Sequence, residues 1–205
     1  MRCLLLFLIT VASLRADWLI EQRNPRDRST TRWVIGKSAL KITWRDRDSS
    51  TDFIVDFAAA LVTKVDHEEK TIASIAFDAY LREKAAEPPP EEYVLEEPSM
   101  IAGLKCACYS YRHPSAANSS GGWRGGAGCF TREIAMPAPH DLKFTQFIDA
   151  LEGRRGRLGF TLAFQASDGG PSVVTLETTR ASKKPAAESE FQPPAAYKKV
   201  EFTSP

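Results

Sequence analysis

Three cysteines in the second half of the chain have the type and spacing for metal, redox or crosslinking chemistry. The stretch "LKCACYSYRH" (104–113) contains Cys106, Cys108 and His113, and Cys129 follows after a glycine-rich segment. These four residues could form a zinc site. Alternatively, two of the cysteines could form a redox pair, or Cys129 could form a disulfide with one of the two cysteines on the strand.

Spacing ranks these alternatives. Structural zinc sites usually separate paired cysteines by two to four residues. One intervening residue on a strand puts the two Cα atoms roughly 6.6 Å apart on the same face, where they share an ion only with distortion. Redox pairs usually have the form C-x-x-C beside the start of a helix. The disulfide is therefore favoured, and we expect neither a metal nor a cofactor.

A disulfide needs an oxidising compartment, and the beginning of the sequence predicts one. "MRCLLLFLITVASLRADW" has a positive residue at Arg2, an apolar-rich segment over 3–14 and a small residue at Ala16. This layout predicts a signal peptide over residues 1–16. No later segment reaches the length of about 20 apolar residues that a membrane span requires. We expect a periplasmic or secreted protein in which disulfides persist.

Size and charge limit the function classes. Residues 17–205 suffice for a single domain with its own core. The 27 Lys and Arg residues nearly balance 26 Asp and Glu residues, so no global field attracts nucleic acid. The basic run "GRRGR" (153–157) is interpreted as a solvated loop after a helix. We expect a monomer without a nucleic-acid partner.

Alternating apolar and polar residues dominate the first third and predict an antiparallel meander of five strands. The segments are "DWLIEQ", "TTRWVIG", "ALKITW", "DFIVDF" and "ALVTKVD". Two segments change to helical spacing, at 71–86 and 141–152, and predict amphipathic helices. Further strands are expected in "EEYVLEE", "IAGLKCACYSYR", "CFTREIAM", "RLGFTLAFQA" and "SVVTLETTRA", with "GGWRGGAG" as a mobile loop. The fold class is α+β, mainly β.

Three motifs resemble an uncharacterised periplasmic family within the LolA/LolB-like superfamily. "SMIAGLKCACYSY" is similar to its i-x-G-y-x-C-x-x-Y strand, through Gly103, Cys106 and Tyr109. "GCFTREIAMPAPHDLKFTQFIDAL" resembles its strand-to-helix stretch, although Cys129 and Phe130 replace the usual tryptophan. The ending resembles its F-x-x-P-x-x-Y pattern, through Phe191, Pro194 and Tyr197. The resemblance covers most of residues 17–205.

The resemblance implies a LolA-like half-barrel, a strongly curved antiparallel sheet covered by two helices. Better-known members hold lipoprotein acyl chains on the concave face, but this family has no established activity. Its cysteine corresponding to Cys106 is often unpaired. Because Cys108 also lies nearer the loop, the expected disulfide joins Cys108 to Cys129, with Cys106 as the alternative partner.

The leading functional hypothesis is a binding protein that holds an acyl chain or lipid on the concave face. Its candidate ligand-binding residues are Trp18, Trp33, Trp44, Phe53, Phe144 and Phe147. One alternative is an envelope protein-protein interaction module without a small ligand, which would use the sheet edge or the tail. The other is a hydrolase, but the three histidines accompany no G-x-S-x-G or H-E-x-x-H motif. We therefore expect no enzyme and assign no catalytic residue.

Overall fold

The computed structural model describes residues 17–84, 92–112, 124–152, 158–168 and 172–202. The predicted signal peptide (1–16), the candidate zinc ligand His113 and the basic run 153–157 lie outside the described residues. Among those described, no helix has the length and apolar character needed to cross a bilayer.

The chain begins with a meander of six strands, each paired antiparallel with the next. Hairpin turns recur every ten residues at Asp46, Asp56 and Asp66, whose Oδ1 atoms each accept two backbone N–H groups from the following turn. Aspartate favours turns for this reason. The strands are β1 (Trp18–Arg23), β2 (Thr30–Ile35), β3 (Ala39–Arg45), β4 (Ser50–Asp56), β5 (Leu61–Asp66) and β6 (Thr71–Ala76).

The sixth strand corrects the prediction of one helix over 71–86. Residues Thr71–Ala76 form β6, and helix α1 covers only Phe77–Glu83. Residue 86 lies outside the described part of the chain. The segment "TIASIA" fits either period, and pairing with β5 satisfies its backbone groups while Ile72 and Ile75 face opposite sides of the sheet. Tertiary pairing therefore overrides the helical interpretation.

The second half of the sheet contains two short strands and four long ones. β7 (Glu92–Leu95) and β8 (Ser99–Ile101) both pair with β9 (Leu104–Arg112). Then follow β10 (Arg124–Thr131), helix α2 (Asp141–Leu151), β11 (Phe160–Asp168) and β12 (Val173–Lys183). The predicted helix over 141–152 is confirmed.

The prediction of a mobile loop in "GGWRGGAG" is wrong for the second half of this segment, which belongs to β10. A Cβ at Gly128 would stand 2.5 Å from Cζ of Phe130, and one at Gly126 would meet the Gln165 carbonyl oxygen of β11 first and then the Tyr111 hydroxyl oxygen at 3.1 Å. These glycines let aromatic rings lie directly against the strand backbone.

The sheet is curved, mainly antiparallel and open, as predicted. With β13 as Lys198–Val200, the described strands follow the order β13-β6-β5-β4-β3-β2-β1-β12-β11-β10-β9-β7, and β8 lies beside β9. β1 joins the two halves through its pairing with β12. The end of the chain contains a 3-10 helix (Glu188–Phe191) and β13 (Lys198–Val200), which is parallel to β6. We call residues 184–202 the C-terminal strap.

Candidate functional site

The six predicted ligand-binding residues come together in one apolar cluster on the inner face of the sheet. Trp18, Trp33 and Phe53 project from strands, while Phe144 and Phe147 project from α2, and all five are buried. Trp44 is partly buried and packs edge-on to Phe53 with ring centroids 5.2 Å apart. These rings therefore belong to the core of the chain itself. Whether any of the six contacts a ligand stays a prediction.

Helix α2 fills the middle of the inner face. Phe144, Phe147 and Ile148 recur at helical spacing and are buried, whereas the intervening residues are more exposed. The Phe147 ring is fully buried and stacks on Tyr80 of α1 at 5.5 Å. Because Tyr80 is buried, desolvation raises its pKa to about 12. Phe57 contacts the Phe144 and Phe147 rings at 6.4 Å each.

A cleft of about 430 Å³ runs along α2, and we call it the α2 cleft. Ile134, Phe144, Ile148 and Phe160 give it apolar walls, and Leu142 stands at its mouth with 51% of its surface exposed. Polar groups contribute to the same lining, from Arg132, Asp141, Thr145 and Asp149. The cleft offers an apolar group a place against the core while a polar head stays near water.

The Phe160 ring connects the α2 cleft to Trp33, one of the predicted tryptophans. Phe160 packs edge-on to Trp33 at 4.9 Å, and the Trp33 indole N–H donates to Gln22 Oε1 at 2.7 Å. Gln22 Nε2 in turn donates to the Thr161 carbonyl at 2.7 Å, so a buried polar bridge links β1, β2 and β11. Sequence reasoning missed Phe160 and Gln22. The alternation of apolar residues in "RLGFTLAF" is a signal that could have found Phe160, but no local signal indicates the bridge.

The predicted disulfide is confirmed as Cys108–Cys129. The two cysteines lie directly opposite each other in the β9–β10 ladder, with Cα atoms 4.0 Å apart. Cys106 is the free, buried cysteine of the described residues. Burial raises the pKa of its thiol, and the S–H group donates to the Ser99 carbonyl oxygen at 3.4 Å.

The outer face of the sheet holds a buried charged group that sequence reasoning did not single out. Asp52 is 2% exposed, and both Lys41 Nζ and His67 Nε2 lie 2.8 Å from its Oδ2 atom. Burial acts to raise the pKa of Asp52, but the hydrogen bonds from Lys41, Thr43 and His67 outweigh it and hold that pKa below its ordinary value. Oδ1 has no hydrogen-bond partner among the described residues.

His67 links this carboxylate to the C-terminal strap. Its Nδ1 lies 3.2 Å from the Tyr197 hydroxyl. With Asp52 ionised and the ring neutral, Nε2 donates to the carboxylate and Nδ1 accepts from the phenol. Asp52 lies beside His67 as an orienting acid lies beside a catalytic base. The group on the other side of the imidazole ring, however, is the Tyr197 phenol, which holds the strap.

The F-x-x-P-x-x-Y pattern lies in the strap, and its residues explain how the strap is held against the sheet. Phe191 and Tyr197 pack against a small outer cluster of Ile54, Val65 and Ile72. Pro194 lines a groove of about 340 Å³ between the strap and strands β4 to β6. The motif therefore has a packing role here.

Comparisons with known proteins identify the fold. No family model and no curated protein matches the sequence. An uncharacterized conserved protein from Thermus thermophilus is similar in structure, at 9% identity over 92% of each chain with a TM-score of 0.54. PNGF-II, solved in space group P21, is similar at 10% identity over 91% of this chain, with a TM-score of 0.50.

The present chain spans 32% of the PNGF-II chain, about a third of its length. MucB in complex with MucA(peri) aligns at 12% identity over 91% of this chain and 57% of that chain, with a TM-score of 0.48. At such identities, the Thermus protein and PNGF-II show a shared fold and no shared ligand.

Proposed function

We propose that the protein is an exported binding module of the LolA-like type, and that it holds one acyl chain or lipid tail in the α2 cleft. The observation that carries the proposal is the cleft, whose 430 Å³ lies within the range of ligand pockets. Its apolar walls are formed by Phe144, which the sequence nominated, together with Ile148 and Phe160. Two further rings pack against this wall, Trp33 on Phe160 and Phe57 on Phe144.

Two further features support the proposal. The Cys108–Cys129 disulfide is typical of proteins that reside in oxidising compartments, as export requires. The proposed role includes no catalytic step: the His67–Asp52 pair lies on the outer face, with its hydrogen-bonding capacity directed to Lys41 and Tyr197.

The first test is mass spectrometry of organic extracts from protein purified without denaturation. We expect an acyl compound at close to one equivalent per chain. The matched test compares Leu142→Glu with Leu95→Glu, because both leucines are exposed, at 51% and 63%, and only Leu142 stands at the cleft. A glutamate in the first turn of α2 also suits the helix dipole, so the fold should survive.

A carboxylate at the mouth of an apolar cleft must be desolvated when the ligand binds. Leu142→Glu should therefore weaken binding of a fluorescent medium-chain fatty acid by about tenfold, or about 1.4 kcal/mol. Leu95→Glu should leave the affinity unchanged. Empty extracts, together with equal fatty-acid binding by all three proteins, would show that the cleft is not a ligand site.

An interaction module is the second candidate, favoured by apolar side chains at the sheet edge. Val94, Leu95 and Met100 on β7 and β8 are 47%, 63% and 60% exposed. An edge strand can pair with an extended peptide segment of another protein. If this function is correct, a stoichiometric crosslinked partner in the exported fraction should be lost with Leu95→Glu and retained with Leu142→Glu.

A further inference from the structure

The sulfur atoms of Cys106, Cys108 and Cys129 converge more closely than the strand spacing predicts. All three Sγ atoms lie within 4.8 Å of one another. Cys106 and Cys108 project from one face of β9, and Cys129 stands directly opposite Cys108 on β10. The Cα separation along a strand suggested distortion for a shared ion, but the side chains reduce the distance between the sulfurs.

The role of a small buried hydrophobe explains the burial of Cys106 but not this convergence. Zinc–thiolate bonds of about 2.3 Å in tetrahedral geometry need sulfurs about 3.8 Å apart. Cys106 lies within about an ångström of that spacing from both partners. Cys108 and Cys129 are joined to each other by the disulfide. Reduction of that bond lets these two sulfurs separate toward the same spacing while the β9–β10 ladder keeps them opposed.

We propose that the reduced protein binds one thiophilic metal ion, of the Zn²⁺ or Cu⁺ class, through the three thiolates. Metal binding requires reduction of the disulfide: two thiol groups of a reductant supply two electrons and two protons and become a disulfide themselves, while the Cys108–Cys129 bond becomes two thiols. The ion then displaces protons from the three thiols and forms three metal–sulfur bonds. This site is separate from the α2 cleft and goes beyond the proposed ligand-binding function.

The experiment uses the full chain with Cys3→Ser, which removes the only other cysteine. The protein is reduced with a phosphine under anaerobic conditions, freed of reductant, and titrated with Co²⁺ as the spectroscopic probe and Zn²⁺ as its competitor. We expect sulfur-to-cobalt charge-transfer absorption that saturates at one ion per chain. The oxidised protein, with two sulfurs in the disulfide, should show none.

The matched control is Cys106→Ser, which removes the third sulfur and leaves the disulfide pair intact. Loss of one thiolate ligand should weaken binding by about a hundredfold, since soft ions prefer thiolate over hydroxyl oxygen. Equal binding by reduced wild type and Cys106→Ser would overturn the proposal. If reduction unfolds the chain, Zn²⁺ must restore the fold and raise the melting temperature of the wild type but not of the variant, and failure to do so refutes the site.

Discussion

Replacement of Asp52 by asparagine tests the buried charge on the outer face. The change keeps the size of the side chain and removes its negative charge. Lys41 and His67, 22% and 30% exposed, then lose the ionised partner that each approaches at 2.8 Å. Asparagine can accept one of these hydrogen bonds, but it does not offset a positive charge.

The magnitude follows from burial and from the number of partners. Breaking a fully buried ion pair costs about 3–5 kcal/mol. Because Lys41 and His67 are partly exposed and can recover some hydration, we expect a smaller loss in the free energy of unfolding. A value of about 2–3 kcal/mol corresponds to one or two hydrogen bonds to a charged group. The melting temperature should fall by about 4–12 °C for a chain of this size.

The contribution of Asp52 to the stability of the fold depends on pH. The folded-state pKa of Asp52 lies below its ordinary value of 3.8. Ionised Asp52 therefore stabilises the fold above that unfolded-state pKa, and the contribution is lost as the pH falls through the folded-state pKa. The difference between wild type and Asp52→Asn should shrink as the pH falls below about pH 4.

The assay is urea denaturation followed by circular dichroism at several pH values, with Asp48→Asn as the control. Asp48 is exposed in a hairpin turn, so its substitution should change stability by less than about 0.5 kcal/mol. Hydrogen exchange at β13 should also accelerate in Asp52→Asn, because His67 connects Asp52 to Tyr197 of the strap. A loss of stability equal to that of Asp48→Asn, or one unchanged at pH 3, would refute the role assigned to Asp52.

Three further predictions concern the disulfide, the core and β10. Cys108→Ser combined with Cys129→Ser should lower the free energy of unfolding by about 3 kcal/mol, since the crosslink spans a sequence separation of 21. Thiol titration of the unfolded, unreduced chain over 17–205 should find one free thiol, and three would contradict the disulfide. Phe147→Ala should cost about 3–5 kcal/mol in urea denaturation because its ring is fully buried against Tyr80; a loss below about 1 kcal/mol would mean that α2 does not cover the core. Gly128→Ala should cost about 1–3 kcal/mol because the added Cβ meets the buried Phe130 ring, and unchanged thermal melting would show that the ring moves freely.

Local signals in the sequence predicted most of the first five strands. Alternation of side chains sets the two faces of a strand, so Trp33, Ile42 and Phe53 could be assigned to one side before any pairing was known. Aspartates at the hairpins mark where strands end, because their side chains bond to the backbone of the same turn. Such signals act over a few residues and can be read without tertiary context.

Residues 71–76 show that local sequence signals do not always decide between a strand and a helix. The segment could follow either period, and its partners decided for a strand: β5 on one side and β13, more than 120 residues later in the chain, on the other. Likewise Gly126 resembles a flexible loop in composition, but the Gln165 carbonyl of β11 and the Tyr111 side chain of β9 need the space that its missing side chain leaves. Long-range packing is invisible to a short window of sequence.

The candidate site was likewise predicted in part from the sequence and decided in part by the tertiary structure. Residue types and their order along the chain predicted apolar aromatic residues on an inner face and a disulfide between Cys108 and Cys129. Only the tertiary structure decided that Phe144 and Phe160 are buried in the core cluster and also line a cleft along α2. Only the structure brought Asp52, Lys41 and His67 together across two hairpins, because the geometry of side chains on neighbouring strands depends on register and curvature.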